Sequence, residues 1–362
     1  MAGILAALKG KRIECYAPAG AVEGGATDVV LPDLRAKRLG KFIEIPAPEG
    51  THLHVPPIAD DDPLFFRYFI DGSERVTNAG HVVDPKGRYL PLLIAQIAVA
   101  TTTLHGGRLR LENYVSDNLL FFPASFGDDR LRAAEVAVRE AAATSRSPMA
   151  LGFEQYEVDD GDRRSPVDRA RAQILQKMHE MEVKQIESLA ANRKVGADAL
   201  LLIDGSIEFY TDMEEHMAAF ANVVGVAKSF DLHRMYGTGK NAMQVGKLIA
   251  GLPVGYRTPA RRTGHRNLSI ASWYLRLQGR SRVPSLSYAD GAVKIEVFPP
   301  DPRASSPTIP EAKCARISQH VFALRAPATP YTDARWASHL YPIYLTERYI
   351  KTRFRDEHTI RA

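Results

Sequence analysis

The spacing of hydrophobic positions changes character along the chain and divides it into readable stretches. Residues 1–60 are rich in Gly, Pro and Ala with weak periodicity, and are expected as an N-terminal arm of short elements ahead of a main domain over 61–362. From Phe65 apolar and polar positions begin to alternate. Phe65–Val76 and Gly80–Val83 read as two strands about a turn, and Tyr89–Thr103 and Arg108–Val115 continue them as an antiparallel meander. The apolar run Leu90–Leu104 is about 15 residues long, short of the ~20 a membrane-spanning helix needs, so it is expected as buried core. Asp128–Ala143, rich in Ala, Arg and Glu, predicts a helix. Ser165-Pro166 then opens another, with Ser at the N-cap and Pro at the first turn. That helix runs to about Asn192, and Val167, Ala170, Ile174, Met178 and Met181 define its buried stripe. Ala199–Phe209 begins with a continuous apolar run, as a strand covered on both faces does, and Val223–Lys228 is a second short apolar strand. Pro342–Arg355 reads as a helix. Strands followed by helix, strand and helix predict an α/β fold around one mixed sheet.

Composition narrows the function classes. The chain has 362 residues, 45% hydrophobic and 25% charged, which excludes a disordered chain and a multi-span membrane protein. Its two cysteines, Cys15 and Cys314, form no metal-binding spacing and are expected as reduced thiols. The apolar segment Met1–Leu8 is followed, not preceded, by Lys9 and Lys11, unlike a secretory signal, so a cytoplasmic location is expected. Met235–Asn241 superficially suggests a phosphate loop, but Arg234 and Asn241 stand where Gly and Ser/Thr are required, which excludes nucleotide hydrolysis of that type. No nucleophile elbow, Cys-His pair or zinc helix is present.

One constellation carries chemistry. Phe69-Ile70-Asp71-Gly72-Ser73 and Leu202-Ile203-Asp204-Gly205-Ser206 are both apolar strands leading into Asp-Gly-Ser. Aspartates projecting from the ends of two strands of one sheet form an oxygen-donor pair for a hard divalent cation. The adjacent glycines allow close approach of metal or phosphate. The Ser165–Asn192 helix offers a third carboxylate. Glu182 lies at the edge of the apolar stripe beside Leu175, Ile186 and Leu189, while Glu180 and Glu187 lie on the far side. Lys228, at the end of its short buried strand, is placed to stabilise charge on a phosphate.

Charge is unevenly distributed. The net charge is only +5, yet Leu232–Ala289 contains no Asp or Glu and ten cations: Arg234, Lys240, Lys247, Arg257, Arg261, Arg262, Arg266, Arg276, Arg280 and Arg282. Tyr236, Tyr256, Trp273 and Tyr274 are interleaved among them. Such a block predicts a nucleic-acid surface, with Lys240, Arg257, Arg261, Arg262 and Arg266 on the phosphates and the aromatics stacking on bases.

The ordered set of Asp-Gly-Ser strand, acidic helix, second Asp-Gly-Ser strand, Asn222-Val-Val-Gly-Val-Ala-Lys228 and Tyr341-Pro342 resembles the NurA family of DNA-end-processing nucleases, as a divergent member, over roughly Phe65 to Arg355. The resemblance implies a ribonuclease-H-like fold and Mn2+- or Mg2+-dependent DNA cleavage. Asp71, Asp204 and a helix glutamate would bind the metal, with Lys228 and Tyr341 completing the site. Glu182 matches the glutamate by face and Glu187 by distance to Asp204, and both stay open. The resemblance also implies a homodimer working with a hexameric HerA-type DNA-translocating ATPase in break repair or phage defence. The family histidine, about two helical turns after the tyrosine, is replaced here by Tyr349, and His320, His339 and His358 lack its spacing. That departure leaves a non-catalytic DNA-binding subunit as the alternative.

Overall fold

The computed structural model describes the chain except residues 1, 19–37, 41–42, 60–61, 63–64, 145–149, 160, 162–163, 211–213, 240–241, 265–267, 280–288, 326–338 and 357–362. Its centre is one mixed sheet of twelve strands. The principal strands are β1 (Phe66–Val83), β2 (Tyr89–His105), β3 (Arg108–Pro123), β4 (Gly152–Tyr156), β5 (Leu200–Asp204), β6 (Val223–Ala227), β7 (Ile270–Arg276) and β8 (Ala292–Val297). They lie in the order β7-β8-β6-β5-β1-β2-β3-β4. β5 runs parallel to both β1 and β6, β4 runs parallel to β3, and the other pairs of principal strands are antiparallel. The helices are α1 (Ala2–Gly10), α2 (Asp128–Ala143), α3 (Pro166–Ala191), α4 (Val245–Gly251), α5 (Glu311–Ala323) and α6 (Tyr341–Arg353). The α/β class and the mixed sheet flanked by helices are as the sequence predicts.

β2 is buried along almost its whole length because both of its faces are covered. Leu93, Ala95, Ile97 and Val99 join the core under α3. Leu90, Leu92 and Ile94 face the other way, into a core with α1 and α2, and Ala98 and Ala100 meet Ile350 of α6. The α3 start is as expected, with Ser165 Oγ accepting the Asp168 amide at 3.2 Å and Pro166 in the first turn.

Two expectations are corrected. The turn between Val76 and Gly80 is absent: β1 is one strand of 18 residues with a bulge between Asn78 and Gly80. Gly80 takes φ +138° there, and a Cβ on it would lie 2.5 Å from the Tyr16 carbonyl oxygen. The strand expected to reach Phe209 ends at Asp204, and a 3-10 turn, Ile207–Tyr210, follows. Within residues 1–60, described segments pair with the rest of the chain. Cys15–Tyr16 pairs with β1, Glu44–Ile45 with Ile309–Pro310, and Leu53–His54 with Tyr256–Arg257. Ile43 and Val55 belong to the core between the sheet and α5. Cys15 and Cys314 are buried free thiols. Among the described residues no helix is long and apolar enough to cross a membrane.

Candidate active site

The two Asp-Gly-Ser segments meet through strand register. Ile70 of β1 is opposite Ile203 of β5, and Asp204 is opposite Val226 of β6. Side chains alternate along a strand, so Asp71, Asp204 and Lys228 project to one face from three adjacent strands. β5 stops at Asp204 while β1 continues for twelve residues past Asp71. Asp71 therefore does not sit at a strand end as expected: it stands beside the point where its neighbour ends.

The turn after Asp204 is firmly held. Gly205 adopts φ +109°. Ser206 Oγ donates to Glu296 Oε2 at 2.6 Å, and the Ile207 amide donates to the same oxygen at 2.9 Å. Gly225 of β6 leaves room, since a Cβ there would stand 2.8 Å from Ile207 Cγ2 and 2.9 Å from the Gly205 carbonyl oxygen.

Electrostatics mark the cluster. Asp71 is 5% exposed, and its Oδ2 is buried without a hydrogen-bond partner. Burial, and then the charge of Asp204, push the Asp71 carboxyl well above the ordinary aspartate range, against the pull of Lys228. Asp204 is also raised by burial, with Lys228 opposing. Lys228 Nζ lies 2.7 Å from Asp204 Oδ2. Burial alone would lower the lysine, but Asp204 and Asp71 outweigh it and raise it.

Of three other carboxylates, two bear on the pair and one does not. Glu182, 5% exposed, acts on both aspartates electrostatically. Its Oε2 is 2.9 Å from His179 Nδ1, one helical turn back. Gly72 makes its approach possible, since a Cβ there would meet Glu182 Oε1 at 2.6 Å and Met178 Cγ at 2.8 Å. Glu187 instead bonds His216 and is not among the groups acting on Asp71 or Asp204. Glu182, not Glu187, lies within electrostatic reach of the aspartates, from the α3 face of the sheet.

The third carboxylate is one the sequence reading missed. Glu347 of α6 acts on Asp71 and Asp204 more strongly than Glu182 does. α6 is fixed across the sheet by Thr346 Oγ1 against Thr102 Oγ1 at 2.7 Å and by Ile350 against Ala98 and Ala100. Thr102 and Ala100 are the β2 partners of Phe69 and Asp71, so Glu347 is carried onto the Asp71 face. Lys351 bonds it at 2.5 Å. Burial would raise Glu347, but Lys351, Lys228 and His339 together hold it below the ordinary glutamate range.

Tyr349, at the family-histidine position, packs edge-on against Tyr114 with ring centroids 5.8 Å apart, under Arg353. The histidine that reaches the cluster is His339, whose Nδ1 is 3.4 Å from Lys228 Nζ. Tyr341 opens α6 at the surface, 49% exposed.

Among the described cations of the acid-free block, Arg234, Arg257 and Arg276 are buried. Arg257 is 1% exposed, with Nη2 2.6 Å from both Glu44 and Glu311, so it cannot serve as the DNA contact expected of it. Arg234 pairs with Glu208 at 2.9 Å, and Lys294 reaches the same carboxylate at 3.2 Å. Arg276 donates to the carbonyls of Ile249, Leu252 and Asp290. Arg261 lies over the Tyr236 ring, 4.5 Å from its centroid, and Arg262 reaches the Ser305 carbonyl at 3.4 Å. Trp273, Tyr274 and Tyr236 are buried and cannot stack on a base. Lys247 is exposed, while Lys240, Arg266, Arg280 and Arg282 lie outside the described residues.

Fold and site thus define a mixed α/β protein with a buried and a half-buried aspartate on adjacent strands, a lysine beside the second, and carboxylates arriving from helices on either face. No family model matches the chain, and no curated protein matches it by sequence. Among solved structures, the crystal structure of the NurA nuclease from Sulfolobus solfataricus is similar over 78% of each chain, at a TM-score of 0.42 and 9% identity. At that level the site has to be read from this chain's own residues.

Proposed function

We propose that the chain is a divalent-metal-dependent DNA nuclease of NurA type on a ribonuclease-H-like sheet. The observation that carries this is Asp71: a buried carboxylate with an unpartnered oxygen, beside a second, half-buried aspartate, at the point where a strand ends. An uncompensated buried anion is costly, and a hard cation held by oxygen donors removes the cost. Among the described residues no three carboxylate, imidazole or thiolate groups are gathered closely enough to hold an ion. Loading would therefore draw Glu182 or Glu347 inward onto the aspartate pair. Mn2+ and Mg2+ both suit such donors, and when bound they supply Lewis-acid stabilisation of charge on the phosphate and the leaving oxygen.

The chain's own residues divide the remaining work. Asp71 and Asp204 would hold the cation, since by themselves they would repel a phosphate. Lys228, released from Asp204, donates to a phosphate oxygen as negative charge builds there. His339 orients the lysine from its far side. The order of motifs favours DNA as substrate, and with it a homodimer and a HerA-type hexameric translocase as partners.

The test is cleavage of end-labelled single- and double-stranded DNA with Mn2+, Mg2+ or EDTA, with and without such a translocase, beside Asp71→Ala and Asp204→Ala. Metal-dependent cleavage lost in both variants supports the reading. Salt-sensitive DNA binding with no cleavage under any condition would leave the second reading, a non-catalytic DNA-binding subunit. The Lys228–Asp204 ion pair is the observation in its favour.

A further inference from the structure

With Arg234, Arg257 and Arg276 of the acid-free block buried, cations on the aspartates' own face of the sheet become the candidates for holding a strand. Register settles which face that is. Phe69 on β1, Leu202 on β5 and Val226 on β6 lie in the core with α5 and with Ile343 of α6. Asp71, Asp204 and Lys228 each stand two residues on from these, so by alternation they share the α6 face. α6 crosses it with Ile350 against Ala98 and Ala100, and Ala100 is the β2 partner of Asp71. The helix buries Pro342, Ile343, Thr346 and Ile350. At ~100° per residue, Tyr344 and Arg348 fall on the opposite, outward side. Arg348 is exposed, and it directly follows Glu347, the helix carboxylate that bears on both aspartates.

A row of side-chain contacts runs from the site to that outward side. Lys228 Nζ is 3.4 Å from His339 Nδ1. The His339 and Tyr344 rings meet edge-on, 5.7 Å between centroids and 76° between planes. Arg348 lies over the Tyr344 ring, 5.8 Å from its centroid, and its Nη1 donates to the Tyr344 hydroxyl at 3.4 Å. Glu347, the only acid in α6, bonds Lys351 at 2.5 Å. A guanidinium held at the surface by a ring and a hydroxyl is already ordered, which lowers the entropic cost of fixing it on a ligand. Its planar fork matches two oxygens of one phosphate. A strand whose reacting phosphate reaches Lys228 carries further phosphates beyond it, and the row leads from Lys228 to Arg348. We propose that Arg348, positioned by Tyr344, binds a phosphate of the cleaved strand beyond the reacting one and so sets the path of that strand over α6. The proposal rests on the nuclease reading for the identity of its ligand.

The test reads binding apart from cleavage, by fluorescence anisotropy of a labelled oligothymidine in EDTA over a range of salt. Arg348→Ala is expected to weaken binding about tenfold, the scale of one lost charge-assisted hydrogen bond, and to reduce the salt slope by about one. Arg348→Lys, which keeps the charge, is expected to keep the slope. Tyr344→Ala should weaken binding less than Arg348→Ala does, and the double variant should bind as Arg348→Ala alone, because Tyr344 acts through the arginine. Lys247→Ala, at an exposed lysine of the acid-free block, should bind as wild type. Arg348 is at the surface, so its variants should melt as wild type. Unchanged affinity and slope in Arg348→Ala would overturn the proposal, and additive losses in the double variant would overturn the role of Tyr344. Concentration-dependent self-association abolished by Arg348→Ala with strand binding intact would also overturn it, by making α6 a contact between copies. Failure of the wild type to cleave the strand with Mn2+ or Mg2+ would instead defeat the nuclease reading, and the anisotropy would still decide the phosphate contact.

Discussion

Replacing Asp71 by Asn should make the metal-free protein more stable while removing its chemistry. Asp71 Oδ2 is buried and unpartnered, and the charge of Asp204 opposes its ionisation. A buried unsatisfied polar group costs about 1–3 kcal/mol, and more if charged. The amide of Asn removes the repulsion and can donate to Asp204. A gain of about 1–3 kcal/mol corresponds to roughly 1–4 °C in Tm for a chain of 362 residues. The pH dependence has a definite sign. Because the folded-state pKa of Asp71 is raised, its contribution is most favourable below the unfolded value of ~3.9 and is lost as pH rises through the folded value. The advantage of Asp71→Asn should therefore be largest at neutral pH and shrink on acidification. Added Mn2+ should reverse the order: a ligand at about 100 times its Kd adds about 2.7 kcal/mol to a protein that binds it, which the variant would not gain. Thermal melts of both proteins in EDTA and in Mn2+, across pH, are the assay. An Asn variant less stable than wild type in EDTA at pH 7, or an advantage that persists unchanged in acid, would refute the reasoning.

Further expectations follow from single contacts. Arg257→Ala leaves Glu44 buried without its cation and should destabilise by about 3–5 kcal/mol in denaturant titration. Gly72→Ala forces a Cβ against Glu182 Oε1 and Met178, so cleavage should fall, with a stability loss of about 1–3 kcal/mol. Lys228→Met should lower kcat by about 10²–10³-fold in single-turnover cleavage, with DNA affinity much less affected. His320 is fully buried, and burial lowers its pKa from 6.5 to about 4. The folded state thus holds fewer protons, and up to about 3 kcal/mol should be lost as pH falls between those values. His320→Leu should flatten that part of the stability profile.

The sheet, its helices and both aspartates were legible because local pattern determines them. A run such as Leu200–Ile203 has few solutions other than a strand covered on both faces. Glycine was harder to read. Gly205 is a turn glycine, as Asp-Gly suggests, but Gly72 lies within β1 and leaves space for a glutamate from another element. The acid-free block misled because charge was counted along the chain while neutralisation operates in space. Glu44, Glu208 and Glu311 all lie outside the block, yet they take up Arg257 and Arg234. Glu347 was invisible for a related reason: its position depends on how α6 crosses the sheet, which Thr346 and Ile350 set through contacts with residues some 250 positions earlier.

The clasp of Arg257 between Glu44 and Glu311 has a consequence for the order of events during synthesis. At about 5–20 residues per second, the ribosome needs tens of seconds to travel from Glu44 to Glu311. Until Arg257 is made the Glu44 carboxylate lacks its guanidinium, and until the end of the interval it lacks the Ile309–Pro310 strand that will pair beside it. An early segment is thus among the last to settle, and a stalled or truncated nascent chain would present it unpaired to the cell's quality control.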